Sequence, residues 1–295
     1  MKKIVLIFAS LLLFNMQGFA HSHHHGSYNY PYYNNHSSHS ESVYLTHSEY
    51  KKTEKKFPDC DKHYMEIETT INTYSDGSRR TYSNITIFNS DGSVLVDDCR
   101  FAQHVVYNDK HYFLIRKYKE GYKIIDSDAN ILTDREYSFM DELESNRILV
   151  KYQKKFGVID LNDNIIIPLK YQKFKKIKDK IFLTKLNGYW GIIDIDNVEL
   201  IKNDCEKITL LFDTLIVKRY GKYGLANLNG YIFMEPVYDN IKKYNEYILV
   251  KKDDKYGILD YEGKKLSELV YKKIKVERNT IKGQFKSGKW VTIKN

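Results

Sequence analysis

An aromatic residue followed by Gly and two apolar residues returns along this chain at an almost fixed interval, and no other feature constrains the fold as tightly. The clear copies are FGVID from Phe156, WGIID from Trp190, YGLAN from Tyr223 and YGILD from Tyr256. Weaker copies start at Tyr122 and Trp290, which makes the spacings 34, 34, 33, 33 and 34 residues. A degenerate earlier copy, ITIFNSDG from Ile85, lies 37 residues before Tyr122. Self-similarity at such a period marks an array of structural repeats, each of which buries its apolar side against its neighbours.

Further columns hold the same register. Seven residues before the aromatic stand Ile115, Leu149, Leu183, Ile216 and Leu249, and five before it stand Lys117, Lys151, Lys185, Lys218 and Lys251. Four after it come Asp126, Asp160, Asp194, Asn227 and Asp260. Fifteen after it come Tyr137, Tyr171, Cys205, Tyr238 and Tyr271. Three residues beyond those lie Met140, Phe174, Ile208, Ile241 and Ile274.

The columns read as strands. Tyr is abundant at 26 residues and Pro scarce at 4, and aromatic and β-branched residues favour the pleated sheet. A strand such as Arg147-Ile148-Leu149-Val150-Lys151 reaches a two-residue turn and returns as Phe156-Gly157-Val158-Ile159-Asp160. Asn187-Gly188 is the strongest turn signal, and Tyr220-Gly221, Asp253-Asp254 and Ser287-Gly288 fill the same slot. That turn sets each column lysine opposite its aromatic, where the lysine stem can lie on the ring. The Gly after the aromatic leaves room for a neighbouring backbone or ring. The expected fold is all-β, a solenoid-like open array of tandem β-hairpin repeats of 33–34 residues. The uneven terminal copies suit caps on an open row, whereas pairing of the first and last strands would give the alternative, a closed β-propeller-like ring.

Outside the array, residues 1–20 read as a secretory signal: Lys2 and Lys3, an apolar run from Ile4 to Phe14, and small residues at Gly18 and Ala20. Residues 21–58 form a His- and Tyr-rich tail nearly without aliphatic residues, expected to be disordered. Residues 59–110 read as a β-meander with turns at Asp76-Gly77 and Asp91-Gly92, a possible degenerate repeat, and 111–295 as the regular repeats. No later segment is long and apolar enough to cross a membrane. The net charge of +9 falls to +7 without the leader's two lysines, which favours acidic partners. No basic run is dense enough to argue for nucleic acid.

The residues KKFGVID, GYWGIID, GKYGLAN, DKYGILD and PVYDNI resemble the bacterial WG repeat family over about Tyr112 to Asn295. Lys123 replaces the motif's Gly in the first copy, and Val291 and Lys294 depart from it in the last. The resemblance implies a β-rich repeat protein, often exported, with no shared catalytic residues.

The residues themselves carry no catalytic signature: no G-x-S-x-G, no H-E-x-x-H, no C-x-x-C and no phosphate-binding glycine loop. The Asp column recurs in every regular unit, where turn geometry accounts for it. The chain is therefore expected to be a non-enzymatic binding or scaffold module, exported to the periplasm or beyond the cell. Its expected partner is a protein or an anionic cell-surface polymer. Stacked in register, Lys117, Lys151, Lys185, Lys218 and Lys251 would form a basic ladder; the plainer reading is that each covers its own ring. The rival function is metal sequestration or delivery through the tail. There His21, His23, His24, His25, His36 and His39, with His47 just beyond, would hold Zn²⁺, Ni²⁺ or Cu²⁺ weakly; a polar spacer is the other reading. His63, His104 and His111 are scattered and show no metal-ligand spacing. Export permits a disulfide, for which Cys60 and Cys99, flanking the meander, are the candidates. Cys205 stands where other units have Tyr and reads as a small buried apolar residue.

Overall fold

The apolar runs of the array, such as Ile148-Leu149-Val150, are too continuous for strands with one wet face, and they are buried on both faces of each sheet. The computed structural model describes residues 43–295, without 58–59, 145, 245, 278–279 and 295, and these residues form strands and no helix. The first sheet pairs, in chain order, β1 (Leu45–Lys56), β2 (His63–Tyr74), β3 (Arg79–Asn89), β4 (Val94–Tyr107), β5 (Lys110–Lys117) and β6 (Tyr122–Asp126). The second is the antiparallel meander β7 (Phe139–Glu144), β8 (Arg147–Tyr152), β9 (Lys155–Ile159) and β10 (Ile165–Tyr171). The third repeats it with β11 (Lys173–Lys178), β12 (Ile181–Leu186), β13 (Tyr189–Asp194) and β14 (Glu199–Cys205). The fourth contains β15 (Lys207–Leu211), β16 (Thr214–Arg219), β17 (Lys222–Asn227) and β18 (Ile232–Tyr238). Two three-stranded sheets follow, β19 (Asn240–Tyr244), β20 (Tyr247–Lys252) and β21 (Lys255–Leu259), then β22 (Lys273–Glu277), β23 (Thr280–Gln284) and β24 (Trp290–Lys294).

The all-β repeat array expected from the sequence is thus present. In the four-stranded sheets the expected hairpin is the centre, flanked by an outer strand on either side, and in the two three-stranded sheets it has an outer strand on one side only. No sheet closes into a barrel, and among the described residues no strand of the last sheet pairs with the first. No helix among those residues is long and apolar enough to cross a membrane.

Side-chain alternation explains the packing. On β8, Ile148 and Val150 enter the cluster shared with Val105, Leu114 and Ile124 of the first sheet. Leu149, between them, joins Phe174, Phe182 and Ile193 of the third sheet. The scheme recurs on β20, where Ile248 and Val250 face one way and Leu249 the other. Successive residues of a strand point to opposite faces, so the inner sheets are filled from both sides by the sheets before and after them in the chain. Each fully buried aliphatic contributes roughly 1.5–3 kcal/mol, and the clusters that bury them join residues of consecutive sheets.

The glycines after Phe156, Trp190 and Tyr223 have a backbone cause. A Cβ on Gly157 would stand 2.5 Å from the Ile167 carbonyl oxygen, and one on Gly191 would stand 2.7 Å from that of Ile201. Both carbonyls belong to bulges where β10 and β14 shift register. The bulge carries the outer strand back so that Phe156 pairs with Tyr171, Trp190 with Cys205, and Tyr223 with Tyr238.

Two expectations need correction. Leu45–Lys56, placed by sequence inside the disordered tail, is a strand paired along its length with β2. All its side chains are exposed, so no buried face wrote an apolar alternation into it; the backbone ladder with β2 defines it, with polar pairs such as Lys52–Glu66 at 2.7 Å across it. The Cys60–Cys99 disulfide is not formed. Both thiols are free in one buried cluster, but the Cys60 sulfur lies 3.6 Å from His63 Nδ1, whereas Cys99 points to the Asp97 carbonyl at 3.5 Å.

Candidate functional site

Four of the five column lysines cross their hairpin to the ring opposite. Lys151 pairs with Phe156, Lys185 with Trp190, Lys218 with Tyr223 and Lys251 with Tyr256. Their ammonium groups lie 5.2, 5.3, 5.6 and 5.8 Å from the ring centroids, a cation–π geometry. Turns with both central residues at positive φ set that register: Gln153 and Lys154 at 45° and 66°, Asn187 and Gly188 at 51° and 88°, Asp253 and Asp254 at 49° and 57°. Lys117 departs from the column. The first turn is one residue longer, so Arg116 faces Tyr122, its guanidinium 5.1 Å from the ring. Lys117 instead pairs with Cys99 across β4 and binds Asp97 at 3.3 Å.

The lysines also meet like charges. Lys173 stands directly opposite Lys185, and Lys207 directly opposite Lys218. Lys218 is balanced by Glu206 at 2.7 Å and Lys251 by Asp254 at 2.7 Å. Among the described residues, Lys151 and Lys185 have a ring but no carboxylate partner.

The Asp column builds turns. One carboxylate oxygen of Asp126 accepts from the backbone N–H of Asp128 and Asn130, at 2.9 and 2.8 Å, and Asp160 and Asp194 repeat the pattern. The fourth residue of that turn docks on the preceding unit. Asp163 accepts from the Tyr137 hydroxyl, from the Asp134 backbone N–H at 3.1 Å and from Arg135 at 3.0 Å. Cys99 and Cys205 occupy matching places, each 0% exposed, and burial pushes both thiols up to about 11. They are packing residues.

The first sheet assembles a cluster of one cysteine and three histidines from separate stretches of the chain. Cys60 and His63, 7% and 5% exposed, precede and open β2. His104 on β4 and His111 on β5 flank a tight turn in which Asn108 and Asp109 hold φ of 50° and 58°. Because Val106 pairs with His111 and His104 with Phe113, the two histidines are diagonal neighbours on one face. His104 Nε2 lies 2.9 Å from His111 Nδ1. The ligand atoms of Cys60, His63 and His111 all fall within 4.8 Å of one another. Phe57 and Phe113 back the group, with His104 centred 4.6 Å from Phe57 and His63 5.2 Å from Phe113. Burial and the nearby His111 and His63 hold His104 down to about 4. Burial also lowers His63, against a hydrogen bond to the Ser127 main chain that favours its charged form. One surface cleft is lined by Cys60 and His63 with Glu54 and Asp61; another reaches His111 beside Asp126 and Asp128. The histidines of the tail, His21 to His39, lie outside the described residues.

The model of the WG containing repeat family matches residues 156–190 and 223–256. These units are WG repeats. No curated protein matches the chain. Among solved structures, the AfRom2 CNH domain aligns with a TM-score of 0.30 at 11% identity, covering 85% of this chain and 98% of that one. Kluyveromyces lactis Hsv2 aligns at 0.30 and 10%, covering 77% and 94%, and the WD40 domain of Neurospora crassa Pan2 at 0.25 and 12%, covering 77% and 84%. Each matched WG segment runs from one column aromatic to the next, so it takes in the last strands of one sheet and the opening hairpin of the following one.

Proposed function

We propose that the protein is an exported, non-enzymatic binding module, and that its lysine-and-ring column engages an acidic partner, either a protein face or an anionic cell-surface polymer. The observation that supports this reading is the placing of Lys173 directly against Lys185 on adjacent strands, neither with a carboxylate partner among the described residues. Like charges directly opposite each other destabilise a sheet, so a fold under selection for stability alone would disfavour them. An incoming carboxylate or sulfate relieves the repulsion, while the rings beside the lysines offer a flat apolar contact. The repeats present the motif several times over, which suits a broad contact with an extended partner.

Retention of the full chain on a heparin column, used as a polyanion probe, tests the column against the Lys151→Glu, Lys185→Glu, Lys218→Glu triple variant. Partners crosslinked in the native cells and recovered with each protein provide the second readout. The triple variant is expected to lose at least tenfold in affinity in the assay that reports the partner class. Unchanged retention together with unchanged recovery rejects the column.

A further inference from the structure

We propose that Cys60, His63 and His111 form a binding site for one Zn²⁺ ion, with His104 positioning His111 from behind. Thiolate and imidazole together are the donor set that selects Zn²⁺ over harder cations. Around a tetrahedral Zn²⁺, bonds of about 2.3 Å to sulfur and about 2.0 Å to nitrogen place the two donors about 3.5 Å apart. Cys60 Sγ and His63 Nδ1 are 3.6 Å apart. The third donor, a ring nitrogen of His111, falls within the same 4.8 Å cluster.

The surroundings fit a metal site better than a packed core. Three imidazoles and a thiol lie within one small volume, their ring nitrogens and sulfur facing each other in the pairs Cys60–His63 and His104–His111. His111 is held from outside, its Nδ1 lying 2.9 Å from His104 Nε2. Such an outer contact selects the ring nitrogen that carries the lone pair. Cys60 and His63 line one cleft and His111 another, which gives the ion a path in and leaves the fourth position to water. Three protein ligands on two different segments, the one entering β2 and the β4–β5 hairpin, would make the ion a staple on the first sheet.

Cobalt substitution tests the site in the full chain. A thiolate bound to Co²⁺ gives a near-ultraviolet charge-transfer band that histidine ligands do not give, and the chain has only three cysteines, none of them before residue 60. The tail histidines therefore cannot imitate the signal. The reduced, metal-free protein with excess Co²⁺ is expected to show the band and to lose it when Zn²⁺ is added. Cys60→Ser should abolish it, Cys99→Ser should keep it, and His63→Gln and His111→Gln should each weaken Co²⁺ binding at least tenfold. His104→Gln should weaken it less while leaving the band's position unchanged. The proposal is overturned if the wild type shows no band, or if the band survives Cys60→Ser. Should Cys60→Ser fail to fold by circular dichroism, the two ligand-histidine variants decide, and unchanged binding in both overturns the site.

Discussion

His104 packs between Phe57 and Phe113, with ring centroids 4.6 and 5.2 Å away, and that setting makes its ionisation a stability term. Its pKa is held at about 4 in the folded chain, against about 6.5 for an exposed imidazole. Between those values the unfolded chain holds a proton at this position that the folded chain refuses. The stability supplied by the neutral ring is therefore complete above about pH 6.5 and is lost as the pH falls towards 4. Urea midpoints of the metal-free protein should decline across that window, and His104→Phe, which keeps a ring in place, should flatten the decline by at most one proton's worth of slope. An equally steep decline in the variant would contradict the assigned burial. The residue scale is also where the sequence was hardest to read. The three histidines taken by themselves show no ligand spacing, and the Cys three residues before His63 enters only when cysteine and histidine are read together. Only the register of β4 on β5 makes His104 and His111 neighbours. Counting five residues back from Tyr122 selects Lys117 for the same reason that it fails: one extra residue in the turn gives the ring to Arg116.

Within a sheet, the glycine after Phe156 and the glycine of the Asn187-Gly188 turn answer to different constraints. Gly157 needs space, because a Cβ there would meet the carbonyls of Ile167 and Pro168 at 2.5 and 2.8 Å. Gly188 needs its φ of 88°, and a Cβ there would meet nothing within 4 Å. Gly188→Ala is expected to cost about 1 kcal/mol of stability, the penalty of a left-handed L-residue. Gly157→Ala should cost more, roughly 1–3 kcal/mol, since the bulge of β10 must shift. Chemical denaturation of the two variants checks the order, and Gly157→Ala proving the milder would refute the bulge explanation. The central hairpins were legible because lysine, aromatic and turn residues recur at fixed offsets. The outer strands were only half legible. Ile165–Tyr171 opens with an apolar run, whereas Lys173–Lys178 alternates lysines with Phe174 and Ile177 and shows no strong pattern.

Across the array, the clusters that hold the molecule together are shared by consecutive sheets: one holds both Val150 and Leu114, the next Phe182 and Leu149, then Leu215 and Ile192, then Ile248 and Leu225. A peptide covering 173–205, one complete meander, exposes both apolar faces and should show no cooperative unfolding by circular dichroism, as isolated strand units are marginal in water. A sharp melt for that peptide would mean that a unit carries its own core. The sequence revealed this dependence through its period, but not the two-sided burial, since alternation on a strand packed on both faces leaves only an unbroken apolar run. Because the sheets meet through corresponding positions, such as Val150, Val217 and Val250 on their central hairpins, the contacts between them are near-copies of one another. Duplicating or deleting one 33- or 34-residue stretch in the gene would then bring already compatible surfaces together at the join. The number of units is a quantity that recombination can change in a single step, lengthening or shortening the molecule while the outermost sheets stay as they are.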